Sequence, residues 1–188
     1  MTGMPESGAG PAWPVPTLET ARLRLRPIRA SDWEPVRDFL ASERSVYMDG
    51  PFGVAEAWGM FCADHAQWGL FGCGGLMIER ASDGLCLGEV GISSGPLFPE
   101  WELGWMLWPE HEGQGIALEA AARLRDWARG TRNLPTLVSY VDPGNVRSAR
   151  LAERLGAVPD PKAVRPAPED LVFRHFGQSF TVPRTGPA

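Results

Sequence analysis

The chain has 188 residues, 44% of them apolar and 8 of them Trp, enough for one domain with a substantial core. Its formal net charge of −5 weighs against nucleic acid as a partner, and no apolar run approaches the ~20 residues that span a bilayer. The opening MTGMPESGAGPAW has neither a basic n-region nor an apolar h-region, so a soluble, cytoplasmic protein is expected, without membrane contact. Cys62, Cys73 and Cys86 are odd in number and lack CxxC spacing, which predicts buried reduced thiols and no metal site.

Residues 1–16 are rich in Gly, Pro and small side chains without periodicity and read as a flexible arm. From Leu18 to Ile28, Leu23 and Leu25 alternate with Arg22, Arg24 and Arg26, the period of a strand whose arginines face water. Ser31-Asp32-Trp33-Glu34 has the form of a capping box and opens a helix with Trp33, Val36, Phe39 and Leu40 on one side. A second helix is expected over about Val54 to Trp68, between the Gly50–Gly53 turn and the glycine cluster Gly69 to Gly75. Leu76 to Arg80 and Leu85 to Ser93 read as strands, and the Asp83-Gly84 pair between them predicts an antiparallel hairpin.

Trp101 to Trp108 reads as a buried strand ended by Pro109. Gly113-Gln114-Gly115 then turns the chain into a helix reaching about Arg129, with Ile116, Ala120, Leu124 and Trp127 on one face. Leu134 to Val141 is a further strand. Asn145 starts a helix with apolar Val146, Ala149, Leu151, Ala152 and Leu155, and Gly156 stops it. A Pro-rich loop leads to Leu171–Phe176 and Ser179–Val182, which read as a closing hairpin. Residues 17–183 thus form a single domain, with 184–188 as a tail and no internal repeat.

This order predicts a mixed α/β (α+β) domain with a partly antiparallel sheet. A doubly wound nucleotide fold is disfavoured, because the hairpin precedes the glycine turn and regular βαβ alternation is missing. Gly113 to Leu118 also lacks the third glycine of a dinucleotide fingerprint, and no Gly-Lys-Ser/Thr follows as in a P-loop. The turn itself suits an anion. Its peptide N–H groups and the unbonded donors of the following helix converge on one place, backed by the positive end of the helix dipole, where a diphosphate would fit.

Several motifs agree in order with one family. Leu18-Glu19-Thr20-Ala21-Arg22-Leu23-Arg24-Leu25-Arg26-Pro27, Glu102-Leu103-Gly104-Trp105, Pro109-Glu110 with Gly113 to Ala117 and Glu119-Ala120, and Asn145, Ser148 with Leu155-Gly156 together cover residues 18 to 176. The chain resembles the GCN5-related N-acetyltransferase (GNAT) superfamily, in particular its ribosomal-protein N-terminal acetyltransferase branch (RimJ/RimL-like). The resemblance implies a mostly antiparallel sheet of about six or seven strands, flanked by about four helices and splayed between the fourth and fifth strands.

It further implies that Gly113, Gln114, Gly115, Ile116 and Ala117 hold the diphosphate of acetyl-CoA, the acetyl donor. Met106, Leu107 and Trp108 hold the positions that pair with the pantetheine amides, and Asn145 contacts the pantetheine arm or caps its helix. The peptide N–H near Leu107 would polarise the thioester carbonyl. Two departures stand out. Glu112 occupies a position where many members carry Gln or Arg, and Ala152 stands where many carry an acid Tyr. In this branch the thiolate-bonding role passes to Ser148, which could equally be an ordinary first-turn residue.

The chemistry demands a base more than an acid. An α-amino group titrates near about 8 and a lysine near about 10, and only the neutral amine attacks a thioester. A thiol near about 8.5 leaves fairly easily. Glu102, on the strand beside the thioester, is the first choice of base, ahead of Glu100 and Asp160. Trp58, Trp68, Trp101 and Trp105 could wall an acceptor pocket, and with the acidic balance they hint at a cationic or aromatic amine. Two readings remain open: an N-acetyltransferase acting on a protein N-terminus or small-molecule amine, and an acyl-CoA sensor that kept the cleft without catalysis.

Overall fold

The computed structural model describes residues 14–178. The expected strand Ser179–Val182, the tail and most of the N-terminal arm lie outside the described residues. Leu18–Glu19 (β1) and Leu23–Pro27 (β2) are two strands where one was expected, with Leu18 opposite Leu25. Thr20 makes the fold-back: its N–H donates to Leu23 O at 2.9 Å, and its hydroxyl oxygen accepts from the Leu23 N–H at 2.9 Å.

The chain continues through helix Trp33–Leu40 (α1), a short 3-10 turn Glu43–Met48, helix Val54–Phe71 (α2) and the hairpin Gly75–Arg80 (β3) and Cys86–Ser93 (β4). Strand Glu102–Leu107 (β5), helix Ile116–Gly130 (α3), strand Leu137–Val141 (β6), helix Val146–Arg154 (α4), the short Val158–Pro159 (β7) and Leu171–Phe176 (β8) complete it. One sheet of eight strands runs β1-β2-β3-β4-β5-β6-β8-β7. It exceeds the expected strand count because β1 and β7 are two-residue pieces. Neighbours are antiparallel except β5 and β6, which are parallel.

The periodicities place the core. Leu25, Ile78, Val90 and Leu103 pack against Ile116, Ala120, Leu124 and Trp127 of α3 on one face. On the other, Val36 and Leu40 of α1 and Ala57 and Phe61 of α2 cover Met77 and Trp108. Trp68 belongs to this interior and not to a pocket wall, being 3% exposed with its indole N–H on Gly75 O at 2.9 Å. Cys73 is buried as expected, whereas Cys62 is exposed. No helix among the described residues is long and apolar enough to cross a membrane.

Arg26, expected in water, is instead buried. Its guanidinium makes two 2.8 Å bonds to Asp32 and a 2.7 Å bond from Nε to Glu79. Asp32 also accepts the Arg29 N–H at 2.7 Å, so this carboxylate organises the entry to α1 in place of the expected Ser31–Glu34 box. A second buried arginine, Arg174 on β8, is bidentate to Glu100 and bonds Asp160 at 2.7 Å. A third polar group lies beneath α2, where Asp64 approaches Glu89 of β4, a Cβ built on Gly75 meeting both side chains. Glu89 Oε2 is buried with no partner among the described residues.

Two consequences are measurable. Arg26→Met leaves the buried Asp32 carboxylate without its cation and Glu79 with only Arg24 at 3.5 Å, and should cost about 3–5 kcal/mol in denaturant unfolding. Burial and the neighbouring Asp64 and Asp32 push the Glu89 carboxyl well above its ordinary 4.5, so the folded chain keeps a proton that the unfolded chain releases. The stability tied to Glu89 is then fully present below that ordinary value and lost as pH rises. Glu89→Gln, which mimics the protonated form, should raise Tm over the parent at about pH 8, and the gain should vanish near about pH 4.

Candidate active site

The one parallel junction among the described residues opens a cleft. Strands β5 and β6 share a single register pair, Glu102 with Val138, where the Val138 N–H donates to Trp101 O at 2.9 Å. Beyond it the strands part. The Ser139 hydroxyl bridges the gap, donating to Leu103 O at 2.6 Å while lying 3.0 Å from His175 Nε2. Burial and Arg125 push the His175 imidazole down to about 4, so the wedge is neutral at pH 7.

Because Trp101 and Leu103 turn their carbonyls toward β6, strand alternation aims the backbone of Trp105 and Leu107 into the opening. The Leu107 backbone therefore faces the gap. Trp108 does not: its N–H is spent on Leu87 O at 2.9 Å. The Met106 carbonyl likewise faces Gly88 of β4, so the second backbone in the gap is that of Trp105, which the sequence reading placed only as a pocket wall.

At the wide end the glycine turn enters. Gly113 and Gly115 take φ of 72° and 75°, the left-handed region that glycine reaches without a Cβ penalty. Arg22 of the first hairpin braces this turn, bonding Glu119 of α3 at 2.6 Å and Gln114 O at 3.2 Å. The resulting cleft, about 600 Å³, is lined by Met106, Leu107, Gly113, Gly115, Ile116, Ala117, Asn145 and Ser148 among others. Gln114 stays outside, with its side-chain amide on Glu110 O at 3.2 Å. Asn145 caps α4, its side chain accepting the Ser148 N–H at 3.1 Å, while the Ser148 side chain faces the cleft. Ala152 is fully buried, and Tyr47, from the 3-10 turn, also lines the cleft, close to Gly144.

Arginines were missed from the sequence. Arg44, Arg147, Arg150 and Arg154 line the same cleft. Three of them recur on α4 at spacings of three and four, a helical face that was legible in retrospect. Arg44 was not legible, since it arrives from the turn after α1.

Glu102 marks the narrow end. Paired strand residues share a face, so Glu102, Gly104 and Met106 lie on the side of Glu89 and α2. A Cβ at Gly104 would meet nothing nearer than Glu102 Oε1 at 3.9 Å, leaving open space beside that carboxyl. Burial, then Asp64 and Asp170, push Glu102 up to about 7, and a hydrogen bond from the Tyr140 backbone opposes them. Glu100 and Asp160, the weaker base candidates, are both held by Arg174. Trp101 and Trp105 pack against the main core, while Trp58 stands 48% exposed, edge-on to Trp33.

Known proteins share this architecture. A family profile for the acetyltransferase (GNAT) domain matches residues 22–158. The crystal structure of an acetyltransferase from Agrobacterium tumefaciens is 55% identical and covers 88% of this chain and 96% of its own, with a TM-score of 0.85. A spermidine N-acetyltransferase from Vibrio cholerae, solved with CoA and spermine, shares the fold at 18% identity over 82% of this chain and 94% of its own, TM-score 0.64. A ribosomal-protein-S5-alanine acetyltransferase from Vibrio fischeri does so at 20% identity, covering 85% and 94%, TM-score 0.61. YkkB of Bacillus subtilis is 34% identical over 80 residues, 42% of this chain, and the match spans only 46% of that protein. The profile match extends over most of the chain, from the first hairpin through the glycine turn and α4: the protein belongs to the GNAT acetyltransferase family.

Proposed function

We propose that the chain transfers acetyl from acetyl-CoA to a primary amine, by direct attack of the amine on the thioester. The observation that carries this reading is the position of Glu102. Its carboxyl borders open space on the strand that also aims the Leu107 amide into the splay, and it titrates near the pH at which amines must be deprotonated.

The fit to coenzyme A rests on the cleft's own features. The positive-φ turn presents peptide N–H groups, the Trp105 and Leu107 backbone faces the gap, and four arginines supply positive charge for phosphates. The Glu102 carboxylate, directly or through water, takes the ammonium proton, so that the neutral nitrogen can form its bond to the carbonyl carbon. The Leu107 N–H meets the oxygen on which negative charge develops. As the carbon–sulfur bond breaks, the nitrogen's remaining extra proton passes to the departing sulfur, whose negative charge the Ser148 hydroxyl would bond.

The acceptor end is acidic. Burial pushes Asp170 above its usual range, and Glu169, Asp142 and Asp49 push it the same way; Asp170 in turn acts on Glu102. This concentration of negative charge favours a cationic amine, whether a protein N-terminus or a small molecule.

Thiol release from acetyl-CoA over a panel of peptides, polyamines, amino acids and aminoglycosides tests the activity. Tight coenzyme binding with no turnover on any amine would favour the sensor reading instead. With an active acceptor, Glu102→Gln should lower turnover about 10²-fold at neutral pH. The deficit should shrink toward about pH 10, where the amine is already neutral, and the parent's rising limb near 7 should disappear. An unchanged pH profile would remove Glu102 as the base. Gly113→Ala forces a Cβ into φ of 72° and should raise KM for acetyl-CoA several-fold, with a smaller change in kcat.

A further inference from the structure

Glu112 sits where a diphosphate-binding turn least wants a carboxylate. The structure gives that carboxylate two partners. Its Oε1 takes the Arg44 guanidinium, from the turn between α1 and α2, and its Oε2 takes that of Arg147, from the first turn of α4. The two arginines come from elements far apart in sequence, and all three side chains line the cleft. They converge closely enough that Arg147, together with partial burial, lowers the Arg44 pKa. Two guanidinium groups brought together in this way need an anion between them, and Glu112 supplies it.

That anion is exchangeable. The side chains of Arg44, Glu112 and Arg147 are 32%, 30% and 65% exposed, so water screens the pairs and each contributes little to stability. A phosphate offers each guanidinium a more highly charged, bidentate partner. A family position that often holds a cation therefore carries the opposite charge here, and the cations come from Arg44 and Arg147 outside the motif.

We propose that Glu112 is a resident counter-anion, which holds Arg44 and Arg147 as a preformed two-arginine clamp and yields them to a phosphate of the coenzyme. This rests on the reading of the cleft as a coenzyme A site. It assigns phosphate binding to two residues beyond the glycine turn, and it gives Glu112 a role opposite in sign to theirs: the arginines favour the bound state and Glu112 competes with it.

The test is calorimetric titration of the full chain and its variants with coenzyme A and with dephospho-coenzyme A, at low and high salt. Arg44→Met and Arg147→Met should each weaken coenzyme A about 10-fold and flatten the salt dependence. Glu112→Gln, of the same shape without the charge, should tighten it about 3-fold or more. Equal losses with both ligands place the clamp on the diphosphate; losses with coenzyme A alone place it on the 3′-phosphate, and either result supports the clamp. Weaker binding by Glu112→Gln, or unchanged binding by both arginine variants, overturns it. Arg44→Lys, which keeps the charge, should lose less than Arg44→Met and serves if the Met variant does not fold. A parent chain that binds no coenzyme A would instead overturn the cofactor reading, with the clamp along with it.

Discussion

The molecule depends on one junction in its sheet. Among the described residues every other strand pair is antiparallel and shares at least two register pairs, but β5 and β6 run parallel and meet only at Glu102 and Val138. The Ser139 hydroxyl on Leu103 O takes up one backbone acceptor just past that point, with His175 behind it. Such a gap would ordinarily leave backbone groups unmatched at high cost. Here the groups of Trp105 and Leu107 face a solvent-filled cleft, where an extended amide-bearing ligand can complete the ladder.

Charge is sorted along this opening. Its wide end collects Arg44, Arg147, Arg150 and Arg154 around the glycine turn. Toward its narrow end Glu102 feels the charges of Asp64 and Asp170. The carboxyls also act on each other: Asp64 and Asp170 raise the basicity of Glu102, which a lone exposed carboxylate would lack. Net charge alone, at −5, conceals this separation.

The elements that period and punctuation define were legible. The hairpin at Asp83-Gly84, the α3 face of Ile116, Ala120, Leu124 and Trp127, and the Asn145 start of α4 formed as read, because each depends on neighbours within a turn or two. Where side chains answer to distant partners, the reading failed. Arg26 has the alternation of a wet strand face, yet Asp32 and Glu79 make it an interior residue. Trp68 looked like a pocket wall and is core. Trp108 followed the motif, but its N–H belongs to β4, a fact of register that no local pattern records.

By itself the sequence determined the kind of domain, its order of helices and strands and the glycine turn before α3, since all of these are carried by spacing along the chain. Tertiary structure decided which backbone groups point into the splay, how high the Glu102 carboxyl titrates, and which cations meet Glu112. Register, desolvation and charge coupling arise between segments that meet only on folding. Arg44 and Arg147 stand about a hundred residues apart in the chain, and only the closed cleft brings both to the same carboxylate.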